Sequence, residues 1–283
     1  MFRLLPITLL FVSCFLSGRA HADDPQVKIA TYNIRYANPK DGDDVWPNRM
    51  KSVIAYAQTN DIIGMQEVTA PQFEQLREGL PEFDSYGVGR DDGKSGGEHA
   101  PIFYRKDRFK PLKKGTFWLS ETPDEVGKKG WDAALPRTCT WIRFRDTQSA
   151  RPLYVANTHF DHRGVTARAE SGKLLAQRIG KLPADLPIVV MGDLNCLSHS
   201  DPYDSIASSF ADARTASRTK PTGPGSTWNG FREIAPDRII DHIFVRSIDV
   251  LQLSIQDPKT DRGRFASDHL PVQMIIQTVP ARQ

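Results

Sequence analysis

Ser267-Asp268-His269-Leu270-Pro271-Val272 sets an acid and an imidazole side by side at an apolar run near the end of this 283-residue chain. Reading backwards, similar junctions recur. Asp241 stands in Ile240-Asp241-His242-Ile243-Phe244, and Asp193 and Asn195 in Gly192-Asp193-Leu194-Asn195. His159 stands in Asn157-Thr158-His159-Phe160-Asp161-His162, Glu67 in Met65-Gln66-Glu67-Val68, and Asn33 in Thr31-Tyr32-Asn33-Ile34-Arg35. Each is read as the C-terminal end of a strand-like run. A strand end presents a polar group from a rigid support, which is where sites are commonly built. Acids and amides suit a hard cation, and two histidines can move protons. The residue types together point to metal-assisted hydrolysis of a phosphate ester.

The segments between these junctions alternate in periodicity. Val27 to Asn33 and Asp61 to Met65 read as strands. Arg49 to Thr59 carries Met50, Val53, Ile54 and Ala57 at the spacing of one helix face, and Pro71 opens a helical stretch to Leu80. Further strands are read at Ile102–Tyr104, Thr116–Leu119 and Thr138–Arg143. Pro152 to Thr158, a helix over Ala167–Leu182 and a strand over Pro187–Met191 repeat the order strand, polar residue, helix, strand, acid. The repetition suggests two sheets packed face to face with helices outside. Three stretches read as long surface loops: Gly87–His99, Ser120–Pro136 and Ala213–Phe231. Trp131 and Trp228 lie in the later two and are expected to line a substrate cleft.

The first 22 residues read as a cleavable secretory leader, with Arg3, an apolar stretch from Leu4 to Leu16 and the small-x-small triplet Ala20-His21-Ala22. Residues 23–283 then form one catalytic domain, secreted or periplasmic, with no transmembrane segment. Loss of Arg3 and Arg19 leaves 35 basic and 34 acidic residues. So balanced a charge provides no broad field for a polyanion, and nucleic acid is a disfavoured partner. Cys139 and Cys196 remain, and their pairing is left open because sequence gives no geometry. A monomer is expected.

With these residues in place, the chain resembles the endonuclease/exonuclease/phosphatase superfamily, the DNase I-like fold, from about Lys28 to Ile276. Phe117-Trp118-Leu119-Ser120-Glu121-Thr122-Pro123 and Gly130-Trp131-Asp132 resemble a group of secreted bacterial members. The resemblance implies an α/β fold, a four-layer α/β sandwich of two packed, mostly antiparallel sheets flanked by helices. It also implies Mg²⁺ or Mn²⁺ and attack of water on phosphorus in a phosphate mono- or diester.

On that resemblance Glu67 is the leading metal ligand, with Asn33 as neutral ligand or phosphate contact and Asp268 completing the metal side. Asp193 orients or deprotonates water, and Asn195, two residues on, faces the same way and can bond the phosphate. Asp241 fixes the tautomer of His269 and raises its basicity. His159 faces the same oxygens, and Glu98, in Gly97-Glu98-His99-Ala100-Pro101, is read as the acid that supports it. Arg168 is a candidate phosphate contact. Asp161, His162, His242 and Tyr104 rank lower. A secreted nuclease is the alternative, but Lys113-Lys114 and Lys128-Lys129 are only pairs, and no basic run interleaved with aromatics appears. A non-catalytic binding protein of the same fold is disfavoured, because no expected acid or histidine is missing.

Overall fold

The computed structural model describes residues 25–277. The expected leader lies outside the described residues. In chain order the elements are β1 (Gln26–Asn33), α1 (Trp46–Gln58), β2 (Ile62–Gln66), α2 (Ala70–Gly79), β3 (Phe83–Tyr86), β4 (Ile102–Arg105), β5 (Phe109–Trp118) and β6 (Thr138–Asp146). They continue with β7 (Pro152–His159), α3 (Val165–Gly180), β8 (Ile188–Asp193), α4 (Asp201–Ala207), β9 (Ala211–Asp212), α5 (Ala213–Ala216), β10 (Asp241–Arg246), β11 (Asp249–Ile255) and β12 (Val272–Gln277).

Two six-stranded sheets result, in the orders β11-β12-β1-β2-β4-β3 and β5-β6-β7-β8-β10-β9. Each has one parallel pair at its centre, β1/β2 and β7/β8, joined through α1 and α3. A parallel pair needs a long crossover, and a helix supplies it. The remaining pairings are antiparallel. All five residues of β2 and all six of β8 are buried. Strands covered on both faces read as continuous apolar runs, which is why these two stand out in the sequence.

The core has three parts, which makes the sandwich four layers deep. Val27, Ile29, Ile62, Val155, Val189 and Met274 pack between the sheets. Ala30, Tyr32, Val53, Ile63, Met65 and Leu76 pack under α1 and α2. Ala156, Leu175, Ile179, Val190 and Ile206 pack under α3 and α4. Towards one end the inter-sheet layer turns polar. Asn157 donates to the carbonyls of Met65 (2.8 Å) and Pro101 (2.9 Å), and accepts from Gln66 Nε2 at 2.6 Å. The sheets approach so closely there that a Cβ on Gly64 would lie 2.6 Å from the Asn157 and Met191 side chains.

Two expectations are corrected. Asp241 opens β10 rather than ending a strand, and Asp268 and His269 precede β12. Both strands run antiparallel to a central neighbour, β10 to β8 and β12 to β1, so their beginnings share the edge where β8 and β1 end. The register places Asp241 opposite Asp193. The stretch Ala213–Phe231 is also not wholly irregular, because Asp212 caps the short helix α5 by accepting from Arg214 N. Cys139 and Cys196 are both buried and unpaired. Among the described residues, no helix is long and apolar enough to cross a membrane.

Candidate active site

Asn33 ends β1 and pairs with Gln66, the last residue of β2, so Glu67 follows at the same edge. Arg35 (φ 59°) and Glu67 (φ 60°) both take the left-handed backbone conformation. Non-glycine residues rarely adopt it, and here it turns both side chains at the strand ends. The Asn33 amide nitrogen uses its two hydrogens on two carboxylates, Glu67 Oε1 at 3.1 Å and Asp193 Oδ2 at 2.9 Å. The second bond crosses from one sheet to the other. Asn33 Oδ1 accepts from Arg35 N at 3.0 Å and keeps a second lone pair. Ser267 Oγ donates to the Asn33 carbonyl at 2.7 Å, which fixes the Asp268-His269 turn against β1. The fully buried Arg49 reinforces this by donating to the carbonyls of Ile34 (2.7 Å) and Ala266 (2.9 Å).

Glu67 and Asp268 lie close enough to feel one another. Burial pushes the Asp268 carboxyl up and the Glu67 charge adds to this, while His269 pulls it down. Arg35, paired to Asp41 at 3.0 Å, stands 4.0 Å from Glu67 and 3.8 Å from Asp268. Two carboxylates that repel each other form a hard donor set that fits a divalent cation, and the second lone pair of Asn33 Oδ1 offers a neutral donor at the same strand edge. Asp193, Asp241 and His269 offer a second group, with one ligand atom from each within 4.8 Å of the others. There Asp241 Oδ1 is buried and lacks a hydrogen-bond partner.

On the other sheet Asp193 ends β8, opposite His159 at the end of β7. A Cβ on the preceding Gly192 would lie 2.0 Å from the Thr158 carbonyl, so only glycine fits there. Asp193 Oδ2 faces His159 Nε2 at 3.5 Å and His269 Nε2 at 3.8 Å. Burial and the Asp241 charge raise the Asp193 carboxyl to about 6, against the opposing pull of His269. His269 Nδ1 bonds Asp241 Oδ2 at 2.9 Å. Burial disfavours its charge, but Asp241 and Asp193 outweigh that and hold His269 well above the usual imidazole range.

His159 differs from its expected environment. Its Nδ1 bonds Arg137 Nη1 at 2.9 Å, while Glu98 stays 3.9 Å away. Glu98 instead holds Arg90 through two bonds, of 2.7 and 3.2 Å. The expectation that Glu98 supports this imidazole therefore gives way to a guanidinium contact. Burial first, and the Arg137 charge second, press His159 well below the usual imidazole range. Sequence reasoning misses Arg137. The signal for it lies in the pairing of β6 with β7, where Cys139 meets Thr158 and residues just ahead of β6 reach the His159 end.

The substrate-side candidates are more dispersed. Asn195 (φ 47°) donates its backbone N–H to Asp193 Oδ1 at 2.9 Å and its side chain to the Phe160 carbonyl at 3.1 Å. Arg168 donates to the Asp161 carbonyl at 3.0 Å, so it braces the loop after β7. Asp161 accepts from the N–H groups of Arg163 and Gly164, which against the effect of burial bring it down to about 2. Trp228 pairs its backbone with His269 and carries the Arg238 guanidinium over its ring at 4.2 Å. Trp131 (φ 48°) is anchored by Glu121, and its neighbour Asp132 accepts from Ala167 N in the first turn of α3. Both indoles are half-buried and belong to none of the core clusters. Buried His242 bonds the Cys196 carbonyl at 2.9 Å and buried Tyr104 bonds Asp84 at 2.9 Å, so both are packing residues.

The family model for the Endonuclease/Exonuclease/phosphatase family matches residues 30–269. A crystal structure of an endonuclease/exonuclease/phosphatase from Bacteroides vulgatus is 40% identical, covers 90% of this chain and 99% of its own, and superimposes with a TM-score of 0.84. The mannosyl-6-phosphatase Bt3783 of Bacteroides thetaiotaomicron is 37% identical, covering 88% of this chain and 99% of its own, with a TM-score of 0.83. An uncharacterized protein, R895, of Acanthamoeba polyphaga mimivirus is 26% identical over 67% of this chain, which spans about a third (34%) of that protein's length.

Loss of the Asn33 amide should be felt in stability. Asn33→Ala leaves a buried carboxylate without its donor and should lower unfolding stability by about 1–3 kcal/mol. Asn33→Asp should lower it further at pH 8, because a third carboxylate then stands between Glu67 and Asp193. Carboxyls with raised folded values are relieved by protonation, so the extra loss should shrink as pH falls from 8 to 5. Urea unfolding from pH 5 to 8 reads both effects. Wild-type stability in Asn33→Ala would contradict the assigned bridge.

Proposed function

The chain belongs to the endonuclease/exonuclease/phosphatase family, and on that premise we propose that it is a divalent-metal-dependent phosphoesterase in which water attacks phosphorus. The observation that carries this reading is the position of Asp193. Its Oδ2 is tied through Asn33 to Glu67 on one side and faces His269 and His159 on the other. A carboxyl raised to about 6 is a competent base near neutral pH.

In this mechanism Asp193 takes a proton from the attacking water, and Asn195 keeps the Asp193 carboxylate aimed through its backbone N–H. The water oxygen bonds phosphorus as the bond to the ester oxygen on the opposite side breaks, and the departing alkoxide takes its proton from bulk water. His269 Nε2 lies 3.8 Å from the base, so in this scheme it is placed on the side of the attacking water rather than at the leaving group. It acts instead as an imidazolium that offsets charge on a phosphoryl oxygen. A cation held by Glu67, Asp268 and Asn33 Oδ1 supplies further neutralisation at the phosphate when bound.

For substrate, we assign a small polar phosphate ester, with sugar phosphates first. The 37% identity to a mannosyl-6-phosphatase over nearly the full length supports this choice. The near balance of 35 basic and 34 acidic residues after the leader supports it against a nucleic-acid backbone. We also propose export, on the strength of Arg3, the apolar stretch behind it and Ala20-His21-Ala22.

Metal dependence is tested with a panel of sugar phosphates, inositol phosphates, phospholipids and oligonucleotides, assayed with Mg²⁺ or Mn²⁺ and with excess chelator. Hydrolysis of sugar phosphates that stops in chelator is expected. Calorimetric titration with Mn²⁺ should show Glu67→Ala binding at least about tenfold more weakly. Full turnover in excess EDTA refutes the scheme.

The pH profile tests the proton roles. kcat/KM should rise through about pH 6 as Asp193 ionises and fall again as His269 loses its proton above the ordinary imidazole range. Asp241→Asn removes the charge that holds His269 up and also helps raise Asp193. Both limbs should therefore move to lower pH. An alkaline limb unmoved in Asp241→Asn would show that His269 is not the group responsible.

A further inference from the structure

Arg137 immediately precedes β6, the strand beside β7, and is only 5% exposed. Its guanidinium contacts two imidazoles through adjacent nitrogens. Nη1 lies 2.9 Å from His159 Nδ1, and Nη2 lies 3.0 Å from His162 Nδ1. Nε lies 3.4 Å from Asp161 Oδ2, which sits between the two histidines in sequence. A guanidinium has five N–H donors and no acceptor, and it stays protonated in proteins. Burial and Arg90 pull Arg137 down while Glu98 and Asp161 hold it up, so charges of both signs surround it. Each Nδ1 facing it must therefore accept, and an imidazole that accepts at Nδ1 carries its proton at Nε2.

We propose that Arg137 is a positioning residue that clamps His159 and His162 in the Nε2–H tautomer, so that His159 serves as a neutral hydrogen-bond donor to a phosphoryl oxygen. The proton-bearing nitrogen of His159 points at Asp193 Oδ2, at 3.5 Å, where the attacking water and a phosphoryl oxygen meet. The histidines on opposite sheets then differ in kind. His269 bonds a carboxylate through Nδ1 and serves as a cation, whereas His159 bonds a cation through Nδ1 and serves as a neutral dipole. Glu98 balances the Arg90 and Arg137 charges instead of polarising His159.

The donor role rests on the phosphoesterase reading, but the tautomer does not, and it is read without substrate. Long-range ¹H–¹⁵N correlation spectra of the full chain labelled with ¹⁵N-histidine at pH 7 should show His159 and His162 bare at Nδ1 and protonated at Nε2. A proton on Nδ1 of His159, or on both its nitrogens, overturns the proposal whatever the fate of the activity. Arg137→Met should release the tautomer and lower kcat about tenfold or more with little change in KM, and Arg137→Lys, which can still donate to Nδ1, should recover part of the loss. Arg137 is buried, so a second pair of variants guards against misfolding. His159→Gln keeps a neutral N–H near the Nε2 position, while His159→Ala keeps none. Loss of one such donor is worth about 10²–10³ in kcat, so the Gln variant should exceed the Ala variant at least about tenfold. Equal losses in the two variants mean that His159 transfers protons, and they overturn the proposal.

Discussion

The Asn33 amide nitrogen is the joint on which this molecule depends. One hydrogen goes to Glu67, in the same sheet, and the other crosses to Asp193 in the partner sheet. Two carboxylates from separate halves of the fold are thereby held near each other, an arrangement that their charge alone opposes. The layer beneath is built to hold that joint in register. Asn157 spans the sheets from the second half, and Gly64 lets the backbones close up around it. Ser267 and Arg49 fasten the Asp268-His269 turn to the end of β1.

The electrostatics of the two halves are complementary. Glu67 and Asp268 repel one another, and Arg35, the cation beside them, stands at 3.8–4.0 Å and is already engaged by Asp41. In the proposed mechanism that half holds the cation. Across the joint, Asp193 lies between an imidazole pushed up by acids and one pushed down by burial and a guanidinium. In the proposed mechanism a base close to its ionisation point sits between a positive and a neutral donor.

Much of this is legible in the sequence, for physical reasons. β2 and β8 are buried on both faces, and α1 and α3 are amphipathic, so periodicity marks the two crossover units and the residues that end their strands. Asp241, Asp268 and His269 are legible as site residues, but their place at the start of a strand is not. An apolar run flanked by an acid does not reveal its direction, and only antiparallel pairing with β8 and β1 brings those positions to the shared edge. The arginines are not legible. Arg137 and Arg49 act through side-chain geometry, one on imidazole nitrogens and the other on carbonyls far apart in sequence. Glu98 reads as a partner of His159 only through the family resemblance, whereas Arg90 claims that carboxylate in space.

The claim that water attacks phosphorus is tested most directly by hydrolysis of mannose 6-phosphate in H₂¹⁸O. Mass spectrometry of the products should find one ¹⁸O atom in the inorganic phosphate and none in the C6 hydroxyl of the sugar, the anomeric oxygen being set aside because it exchanges with water. Label in that C6 hydroxyl would mean cleavage at carbon, and it would contradict the roles of Asp193 as base and His269 as the cation facing the phosphoryl oxygens.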